Sequence, residues 1–504
     1  MTILAPFVNL SNRSPRYLGD GLALGTGASL PLAFAPFALF PIAWLSPAIL
    51  FLLWRDQTPV RACWRGLLFG IGLFAVGISW INNSFYYFGG IPLPGSILLT
   101  LGFICSMALY PALLGWLLTR GFPKTNAVKL FLIIPASWVL MEWLRGWLFT
   151  GFPWLTLGYS QIDSPLRGFA PLLGVYGVSW VTVLIASALA YIFHYKRHFL
   201  PISLLIMTFA SSGWLLSKIT WHHAVDKPLA VALVQGNIPQ EYKWATGFQI
   251  SSIQRYLYLS QAHRDANLII WPETAIPLFH HQIIGFLESL QAEHTKNGTD
   301  FLIGIPVMNP AKTAYFNGIM SISENPGFYF KRHLVPFGEY IPLQSILGKL
   351  LKLLEVPLSD FTAGAADQPN LRVANQAIGL SVCYEDVFGE LLRTSLPEAT
   401  LLVNVSNDAW FSDTLAPYQH LEIARMRALE SGRFLLRATN TGISAVIDAS
   451  GRIVAQATPS KVYVLRAQVQ PYQGTTPYIY FGNALVIILS FLCVLLGIYL
   501  KRRN

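Results

Sequence analysis

Three side chains with complementary chemistry stand at or near the ends of predicted β-strands. Glu273 follows the apolar run 267–271, Cys383 follows the run 377–382, and Lys331 lies inside an aromatic run that predicts a third strand. Functional groups of α/β sheets gather where strands end. A cysteine reacts as its thiolate, so it needs a base or a cation nearby, which a carboxylate and an ammonium group supply. The three residues therefore predict a nucleophilic cysteine with its activating groups.

Each of these residues also has a plainer interpretation that the sequence leaves open. A free cysteine is commonly a buried, inert side chain, although Cys383 is the only cysteine in the polar part of the chain and the others lie in or beside apolar segments. Lys331 can be a solvated strand residue, and Glu273 a helix cap or a surface acid. Arg332 and His333 compete with Lys331 for the role of the cation, and spacing alone does not decide among them.

Further polar and aromatic residues are candidates for supporting roles. Glu339 lies in the loop 336–342, where proline and glycine indicate a rigid turn. Such a turn can orient the lysine through an ion pair, and a plain turn is the alternative. Trp244 follows a predicted strand and is either a substrate contact or an anchor at a membrane interface. His420 has no acid or cysteine at ligand spacing, which favours a structural role over metal binding.

The composition excludes a wholly soluble protein. Of the 504 residues, 12% are charged and 53% are hydrophobic, whereas about 25% are charged in typical soluble domains. The mean hydropathy is +0.47. The four cysteines are scattered, with none in a CxxC spacing, which excludes a disulfide framework or a zinc cluster. The net charge of +10 fits nucleic acid, an anionic membrane surface or the orientation signal of a membrane protein.

Long apolar segments predict a multi-pass membrane protein, because a bilayer crossing needs about 20 mostly apolar residues. We expect eight crossings: two within 21–54, two within 66–119, and one each within 130–147, 168–193, 199–217 and 479–500. Basic residues concentrate on the connections that would share a side with both termini, so the positive-inside rule places the termini in the cytoplasm. This distribution accounts for much of the positive charge without nucleic acid.

The predicted organisation has three parts along the chain. Residues 1–217 hold crossings one to seven, residues 218–478 form a polar insert outside the cytoplasm, and residues 479–504 hold crossing eight with a basic cytoplasmic tail. Within the insert, short β-branched runs alternate with amphipathic stretches, which indicates a layered α/β domain. Chemistry there has no access to cytosolic ATP or coenzyme A, so it must use phospholipids and exported proteins.

The joint set of motifs resembles a known enzyme family. Glu273 in Trp-Pro-Glu-Thr, Lys331 in the aromatic run and Cys383 in Val-Cys-Tyr-Glu-Asp are similar to the Glu-Lys-Cys triad of the nitrilase superfamily, whose members have an αββα sandwich. With the eight predicted crossings and the motifs at 234–240, 336–342 and 406–411, nearly the whole chain resembles the bacterial apolipoprotein N-acyltransferases. The implied fold is a nitrilase-like sandwich inserted between the seventh and eighth helices of an eight-helix transmembrane bundle.

The resemblance also implies an activity. An acyl chain would move from a phospholipid to Cys383 as a thioester, and then to the α-amino group of the N-terminal diacylglyceryl-cysteine of an apolipoprotein, in a ping-pong cycle. Glu273 would be the general base and Lys331 an oxyanion stabiliser with a backbone N–H near Tyr384. No metal, cofactor or nucleic acid would take part. The expected location is the bacterial inner membrane, with the catalytic domain periplasmic and the protein a monomer.

The same resemblance implies supporting roles and leaves alternatives to test. Glu339 would support the electrostatics of the triad, Tyr384 and Glu385 would act beside the nucleophile, and Trp244 would lie on a mobile arm over the lipid entrance. One alternative is a membrane-tethered amidase of the nitrilase type, whose thioester turns over with water. A second is a non-enzymatic lipid transporter, in which Cys383 is dispensable.

Overall fold

The computed structural model describes residues 16–195, 198–243, 245, 247–341, 361–411 and 413–503. The described residues divide into two compact units. A helical unit contains the residues up to Tyr86, Pro92–Thr220 and the residues from Tyr480 onward. An α/β unit contains Tyr87–Ile91 and Trp221–Ile479.

The helical unit consists of long apolar helices and shorter pieces. Its main helices are α1 (Arg16–Ser29), α2 (Ile42–Leu53), α3 (Pro59–Gly77), α4 (Leu93–Gly121), α5 (Ile134–Arg145), α6 (Ala170–His194), α7 (Phe199–Leu216) and a C-terminal helix (Ala484–Arg503). In the described part of the chain, five helices are long and apolar enough to cross a membrane: α3, α4, α6 with the turn preceding it, α7 and the C-terminal helix. The chain is therefore a membrane protein, while the count of eight crossings stays a prediction.

Helices α3 and α4 pack closely because glycines line their contact. A Cβ atom on Gly66 would lie 2.4 Å from the carbonyl oxygen of Pro111, and one on Gly70 would lie 2.6 Å from the Cα of Ala108. Both distances are shorter than non-bonded atoms allow. Small residues let helix backbones approach in this way inside membranes, where van der Waals packing rather than the hydrophobic effect holds helices together.

The α/β unit is built on two six-stranded sheets and one small sheet. Its strands are β1 (His222–Ala224), β2 (Leu229–Gln235), β3 (Leu268–Trp271), β4 (Asp300–Met308), β5 (Tyr315–Ile322), β6 (Phe328–Phe330), β7 (Leu371–Val373), β8 (Gln376–Val382), β9 (Leu401–Ser406), β10 (Leu435–Thr439), β11 (Ala445–Ile447), β12 (Ile453–Gln456), β13 (Tyr463–Val469) and β14 (Tyr472–Gly474). The sheet orders are β13-β2-β3-β4-β5-β6 and β12-β11-β10-β9-β8-β7, with β1 paired to β14. In each large sheet the central strands run parallel, β2-β3-β4 and β8-β9-β10.

Helices cover the outer faces of the two large sheets. These covering helices are α8 (Gln249–Gln261), α9 (Ile284–Asn297) and α10 (Ala416–Ser431). The described residues also form short α-helices: Ile81–Asn83 in the helical unit, and Gln240–Lys243, Gly389–Arg393 and Pro477–Phe481. One core joins the facing sides of the sheets, for example Ile270 with Leu380. A second core packs α8 and α9 on the first sheet, and a third packs α10 on the other sheet. The predicted αββα layering is confirmed.

Strand ends of both large sheets position the predicted site residues. β3 ends two residues before Glu273, and β8 ends directly before Cys383. The four predicted strands 267–271, 301–305, 377–382 and 401–405 correspond to β3, β4, β8 and β9. These four strands are mostly apolar and almost wholly buried, so they position the polar residues that follow them.

Candidate active site

Glu273, Lys331 and Cys383 come together in one buried site of the α/β unit. Their exposed fractions are 8%, 1% and 8%. The Nζ atom of Lys331 lies 3.9 Å from Oε1 of Glu273. The charges of both residues act on the pKa of the Cys383 thiol. A thiol, a carboxylate and an ammonium group are thus held close together and away from bulk water.

Lys331 has a backbone position slightly different from the predicted one. β6 ends at Phe330, so the lysine is the first residue after the strand and not inside it. Its backbone N–H still donates to the carbonyl oxygen of Asn317 at 2.8 Å. The strand stops there because the next two N–H groups, of Arg332 and His333, donate instead to Glu385 Oε1 at 2.6 and 3.1 Å.

The competition among Lys331, Arg332 and His333 is resolved by their contacts, and the ring of His333 packs on that of Phe388 with centroids 3.9 Å apart. Lys331 forms ion pairs with Glu339, at 2.7 Å, and with Glu273. The guanidinium of Arg332 donates to the hydroxyl of Tyr329 at 3.1 Å and to Thr394 Oγ1 at 2.8 Å. Lys331 is therefore the cation that faces Glu273.

Asn317 is a member of this site that the sequence interpretation missed. Its Nδ2 group donates to Glu273 Oε1 at 2.8 Å and to Glu339 Oε1 at 3.0 Å. Glu339 Oε2 accepts from the backbone N–H of Val335 at 2.8 Å as well as from Lys331. We call Lys331, Glu273 and Glu339 the lysine cluster. Asn317 fixes the two carboxylates of this cluster relative to each other; its one sequence signal is a lone amide in an apolar strand.

Cys383 occupies a sharp turn between a strand and a short helix. Its φ angle is +52°, in the left-handed region that non-glycine residues rarely adopt. It begins a 3₁₀ turn, Cys383–Val387, directly after β8. Such a conformation costs of order 1–3 kcal/mol and persists only where neighbouring contacts enforce it. Because the proposed nucleophile has this backbone conformation, the contacts that hold Cys383 in it belong to the site.

Glu385 supplies several of those contacts. Its carboxylate is fully buried. It accepts hydrogen bonds from the N–H of Val382 at 2.7 Å, the hydroxyl of Tyr329 at 3.0 Å, and the N–H groups of Arg332 and His333. Burial raises the pKa of this carboxyl group, against the opposing effect of the hydrogen bonds. Glu385 therefore ties the turn of the cysteine to the segment that follows Lys331, while the adjacent Tyr384 packs its ring 5.2 Å from that of Phe388.

The protonation states suit general base catalysis. Burial raises the pKa of the Cys383 thiol, and the Glu273 carboxylate raises it further, against the effect of Lys331. Burial alone would lower the pKa of Lys331, but Glu339 and Glu273 outweigh it and the pKa is raised. Oε2 of Glu273 is buried and has no hydrogen-bond partner among the described residues. The resting arrangement is a thiol beside a carboxylate with an open acceptor and a fixed cation.

A second lysine lies next to the site. Lys243 is buried, and its Nζ donates to the backbone carbonyl oxygen of Glu273 at 2.9 Å. Burial lowers its pKa to about 8, and the charges of Glu273 and Cys383 act in the opposite direction. The sequence interpretation did not single out Lys243. Its neighbour Trp244, which was singled out, lies outside the described residues.

A separate ionic cluster joins residues in or just after β8, β9 and β10 with one residue of α10. We call Arg437, Asp386, Asp408 and His420 the arginine cluster; each of its side chains is 1% exposed or less. His420 Nε2 lies 2.8 Å from Asp386 Oδ1, and Arg437 Nη2 lies 3.0 Å from Asp408 Oδ2. The predicted structural role of His420 agrees with these ion pairs. Arg437 itself was missed, although an arginine inside an apolar strand is the signal that could have found it.

Two family descriptions match the chain. Residues 26–188 match the apolipoprotein N-acyltransferase N-terminal domain, and residues 230–478 match the carbon-nitrogen hydrolase domain. Proteins named apolipoprotein N-acyltransferase are similar over nearly the whole chain. The one from Methylococcus capsulatus is 45% identical, covering 92% of each chain. The one from Nitrosomonas europaea is 43% identical, covering 94% of this chain and 96% of that one.

Solved structures of the nitrilase superfamily match part of the chain. A member from Saccharomyces cerevisiae aligns with a TM-score of 0.37 and 18% identity, covering 49% of this chain and 93% of that one. A carbon-nitrogen hydrolase from Helicobacter pylori aligns with a TM-score of 0.37 and 17% identity, covering 48% of this chain and 89% of that one.

Proposed function

The chain belongs to the apolipoprotein N-acyltransferase family and is an acyltransferase, and we propose that Glu273, Lys331 and Cys383 carry out its reaction. The acyl donor is a membrane phospholipid, and the acceptor is the α-amino group of the N-terminal diacylglyceryl-cysteine of an apolipoprotein. The observation that carries the proposal is Glu273 Oε2, which has no hydrogen-bond partner in the described parts of the chain and is buried in the same site as the Cys383 thiol and the Lys331 ammonium group.

In the first half of the cycle the cysteine takes the acyl chain. Sγ of Cys383 attacks the ester carbonyl carbon while its proton passes to Glu273 Oε2. Lys331 and a backbone N–H near Tyr384 stabilise the resulting oxyanion. When the tetrahedral intermediate collapses, the ester C–O bond breaks and the proton moves from Glu273 to the leaving alkoxide. A lysophospholipid departs and a thioester remains on Cys383.

In the second half the acceptor amine takes the acyl chain. The α-amino nitrogen attacks the thioester carbonyl, Glu273 removes a proton from the nitrogen, and the same donors stabilise the oxyanion. The C–S bond then breaks, the amide leaves, and the sulfur regains a proton from Glu273. Transfer to an amine instead of water requires a dry acyl-enzyme, and the burial of all three side chains supports this.

Supporting residues act through the triad in this proposal. Glu339 holds the Lys331 ammonium in place and Glu385 holds the turn of Cys383, as their hydrogen bonds suggest. Tyr384 supplies the backbone N–H beside the nucleophile. Trp244 contacts the substrate at the lipid entrance.

The membrane arrangement completes the proposal. Residues 1–217 and 479–504 would supply eight crossings of the bacterial inner membrane, with both termini cytoplasmic, and residues 218–478 would lie in the periplasm. The basic residues between the apolar segments support this orientation. We propose a monomer, because both lipid substrates can diffuse to a site contained in one chain.

The test is the intact mass of the purified protein after incubation with phospholipid in detergent micelles. The wild-type protein should gain one acyl chain, and hydroxylamine should remove it. Cys383→Ala should gain nothing, whereas Cys105→Ala, which changes an exposed cysteine, should behave as wild type. Absence of an adduct in folded wild-type protein would refute the acyl-enzyme mechanism. Rapid loss of the adduct to water, unaffected by a diacylglyceryl peptide, would favour the amidase alternative.

A further inference from the structure

Asn404 links the arginine cluster to the backbone of the proposed nucleophile. It lies in β9, paired in register with Ser381 of the parallel strand β8, and it is fully buried. Its Nδ2 group donates to the carbonyl oxygen of Cys383 at 3.1 Å and to Oγ of Ser381 at 3.0 Å. Its Oδ1 atom accepts from Nη1 of Arg437 at 2.7 Å.

Arg437 determines which way the Asn404 amide faces. The oxygen and nitrogen of an asparagine amide look alike in shape, so hydrogen-bond partners must assign them. A guanidinium group only donates, so the atom 2.7 Å from Arg437 Nη1 must be the acceptor oxygen. The NH₂ group of Asn404 is therefore directed at the Cys383 carbonyl. Arg437 is in turn held by Asp386 Oδ2 at 3.2 Å and Asp408 Oδ2 at 3.0 Å.

The carbonyl of Cys383 and the N–H of Tyr384 belong to the same peptide group. That group is planar and trans, so its C=O and N–H bonds point in opposite directions. A hydrogen bond that fixes the Cys383 carbonyl therefore also fixes the direction of the Tyr384 N–H. This control matters here because Cys383 has a φ of +52°, a conformation that its neighbours must enforce.

We propose that Asn404, held by Arg437, is a positioning residue that orients the Cys383–Tyr384 peptide group so that its N–H stabilises the oxyanion formed during acyl transfer. The inference rests on the proposed function, because it concerns the oxyanion of that reaction. Asn404 acts through the peptide group and does not itself touch the substrate. Its contribution is confined to steps that pass through a tetrahedral oxyanion.

The test compares two reactions of the same sulfur. Acylation by a phospholipid with two oleoyl chains forms an oxyanion, whereas alkylation by iodoacetamide displaces iodide and forms none. Asn404→Ala should lower the rate constant of thioester formation about 30-fold or more, since loss of one oxyanion donor costs about 10²–10³ in rate. Its alkylation rate, read from the mass of the Cys383 peptide, should stay within about threefold of wild type.

Ser381→Ala is the matched control. It removes the other hydrogen-bond partner of the same amide and keeps the bond to the Cys383 carbonyl, so acylation should fall less than about threefold. Asn404→Asp serves if Asn404→Ala fails to fold, because it keeps the shape and the Arg437 contact and loses the donor. Its kcat should fall about 30-fold, with KM within about threefold.

Three results would overturn the inference. One is acylation by Asn404→Ala, or by its substitute Asn404→Asp, at the wild-type rate. Another is an equal fall of acylation and alkylation in Asn404→Ala, which would place the defect in the thiol. The third is equal damage by Ser381→Ala. In each case the wild-type thioester still forms and the proposed function stands, whereas absence of that thioester would refute both.

Discussion

Two buried ionic clusters act on Cys383, and they differ in composition. The lysine cluster has two carboxylates and one ammonium group, and the ammonium group of Lys243 lies beside it. The arginine cluster has two carboxylates, a guanidinium and the imidazole of His420. Nδ1 of His420 lies 2.8 Å from Arg437 Nη2, which can only donate, so the imidazole accepts there and donates from Nε2 to Asp386 at 2.8 Å. Buried charges are costly unless they are paired and hydrogen-bonded, so an acceptor left open in either cluster calls for a functional explanation.

The clusters also differ in how their acceptors are used. Both oxygens of Asp386 and of Asp408 accept hydrogen bonds within the arginine cluster. Oε2 of Glu273 accepts none among the described residues. Among the described residues, the arginine-cluster atom that lacks a hydrogen-bond partner is Nε of Arg437, which is a donor and not an acceptor. One cluster can therefore take a proton during a reaction, while the other can only hold structure in place.

Replacing Glu273 should produce the largest effect on activity. Glu273→Gln keeps the side-chain shape and the acceptor for Asn317, but it cannot take the cysteine proton. Thioester formation should fall about 10³-fold, within the range that general base catalysis contributes. The unfolding free energy should change by less than about 1 kcal/mol, because Lys331 keeps Glu339 at 2.7 Å.

Glu339→Gln is the comparison within the same cluster. It leaves the open acceptor of Glu273 in place, so its loss of activity should be smaller, about 10-fold. Both variants are assayed by the rate of mass gain with phospholipid, alongside urea unfolding in detergent. Equal losses in the two variants would contradict the assignment of Glu273 as the base.

Replacing Arg437 should produce the largest effect on stability. Arg437→Met leaves Asp386 and Asp408 buried without their cation, and breaking a buried pair in this way costs about 3–5 kcal/mol. The measurement is the unfolding free energy of the protein in detergent. Arg466→Met is the control, because its pair with Asp265 is exposed and screened by solvent, so its loss of stability should be much smaller. A similarly small change in both variants would show that the arginine cluster does not stabilise the fold.

Residues at the ends of apolar strands were the predictable part of the site. Glu273 and Cys383 follow the ends of apolar strands, where functional groups of α/β sheets gather, so the local pattern marked both residues. Their strands, β3 and β8, belong to different sheets, and the packing of the two sheets was not part of that pattern. The layered fold followed from the same alternation of strands and helices. Lys331 was predicted as the cation of the site, but the sequence did not distinguish it from Arg332 and His333. Which of the three faces Glu273 depends on where β6 ends, and that is set by the hydrogen bonds of Arg332 and His333 to Glu385.

Contacts between distant segments were not predictable. Asn317 joins two carboxylates from different loops, and Arg437 joins Asp386 and Asp408 across three neighbouring strands. Such contacts depend on strand order and register, which one sequence does not specify where both faces of a strand are buried. A lone polar side chain in an apolar strand indicates that the residue has a buried polar partner, but only the strand register identifies that partner.

Lys243 should give the α/β unit a stability that rises in alkaline solution. Its pKa is lowered from 10.5 to about 8 by burial. Between these values the unfolded chain binds a proton that the folded protein does not, so the stability should increase as the pH rises from about 8 to 10.5. The gain is lost as the pH falls back from 10.5 to about 8, and this lysine causes no further change below that. The increase should reach at most about 3 kcal/mol.

The measurement is the unfolding free energy in detergent at several pH values. Lys243→Met should show a smaller rise than wild type, and the exposed Lys227→Met should keep the wild-type rise. An unchanged slope in Lys243→Met would mean that this lysine is charged throughout. At neutral pH a pKa of about 8 leaves Lys243 mostly protonated, so it is a second cation beside Glu273 in either case.

Asp408 should give the arginine cluster a stability that is lost in acid. Arg437 and His420 outweigh burial and lower the pKa of Asp408 from 3.8 to about 2. The stabilisation is fully present above pH 3.8 and is lost as the pH falls through 2, and it amounts to about 2 kcal/mol.

The difference in unfolding free energy between wild type and Asp408→Asn should therefore shrink between pH 5 and pH 2. Other carboxylates titrate in both proteins, so the difference isolates Asp408. A constant difference would show that Asp408 contributes through shape and not through its charge, and the arginine cluster would then no longer be an ionic counterpart of the lysine cluster.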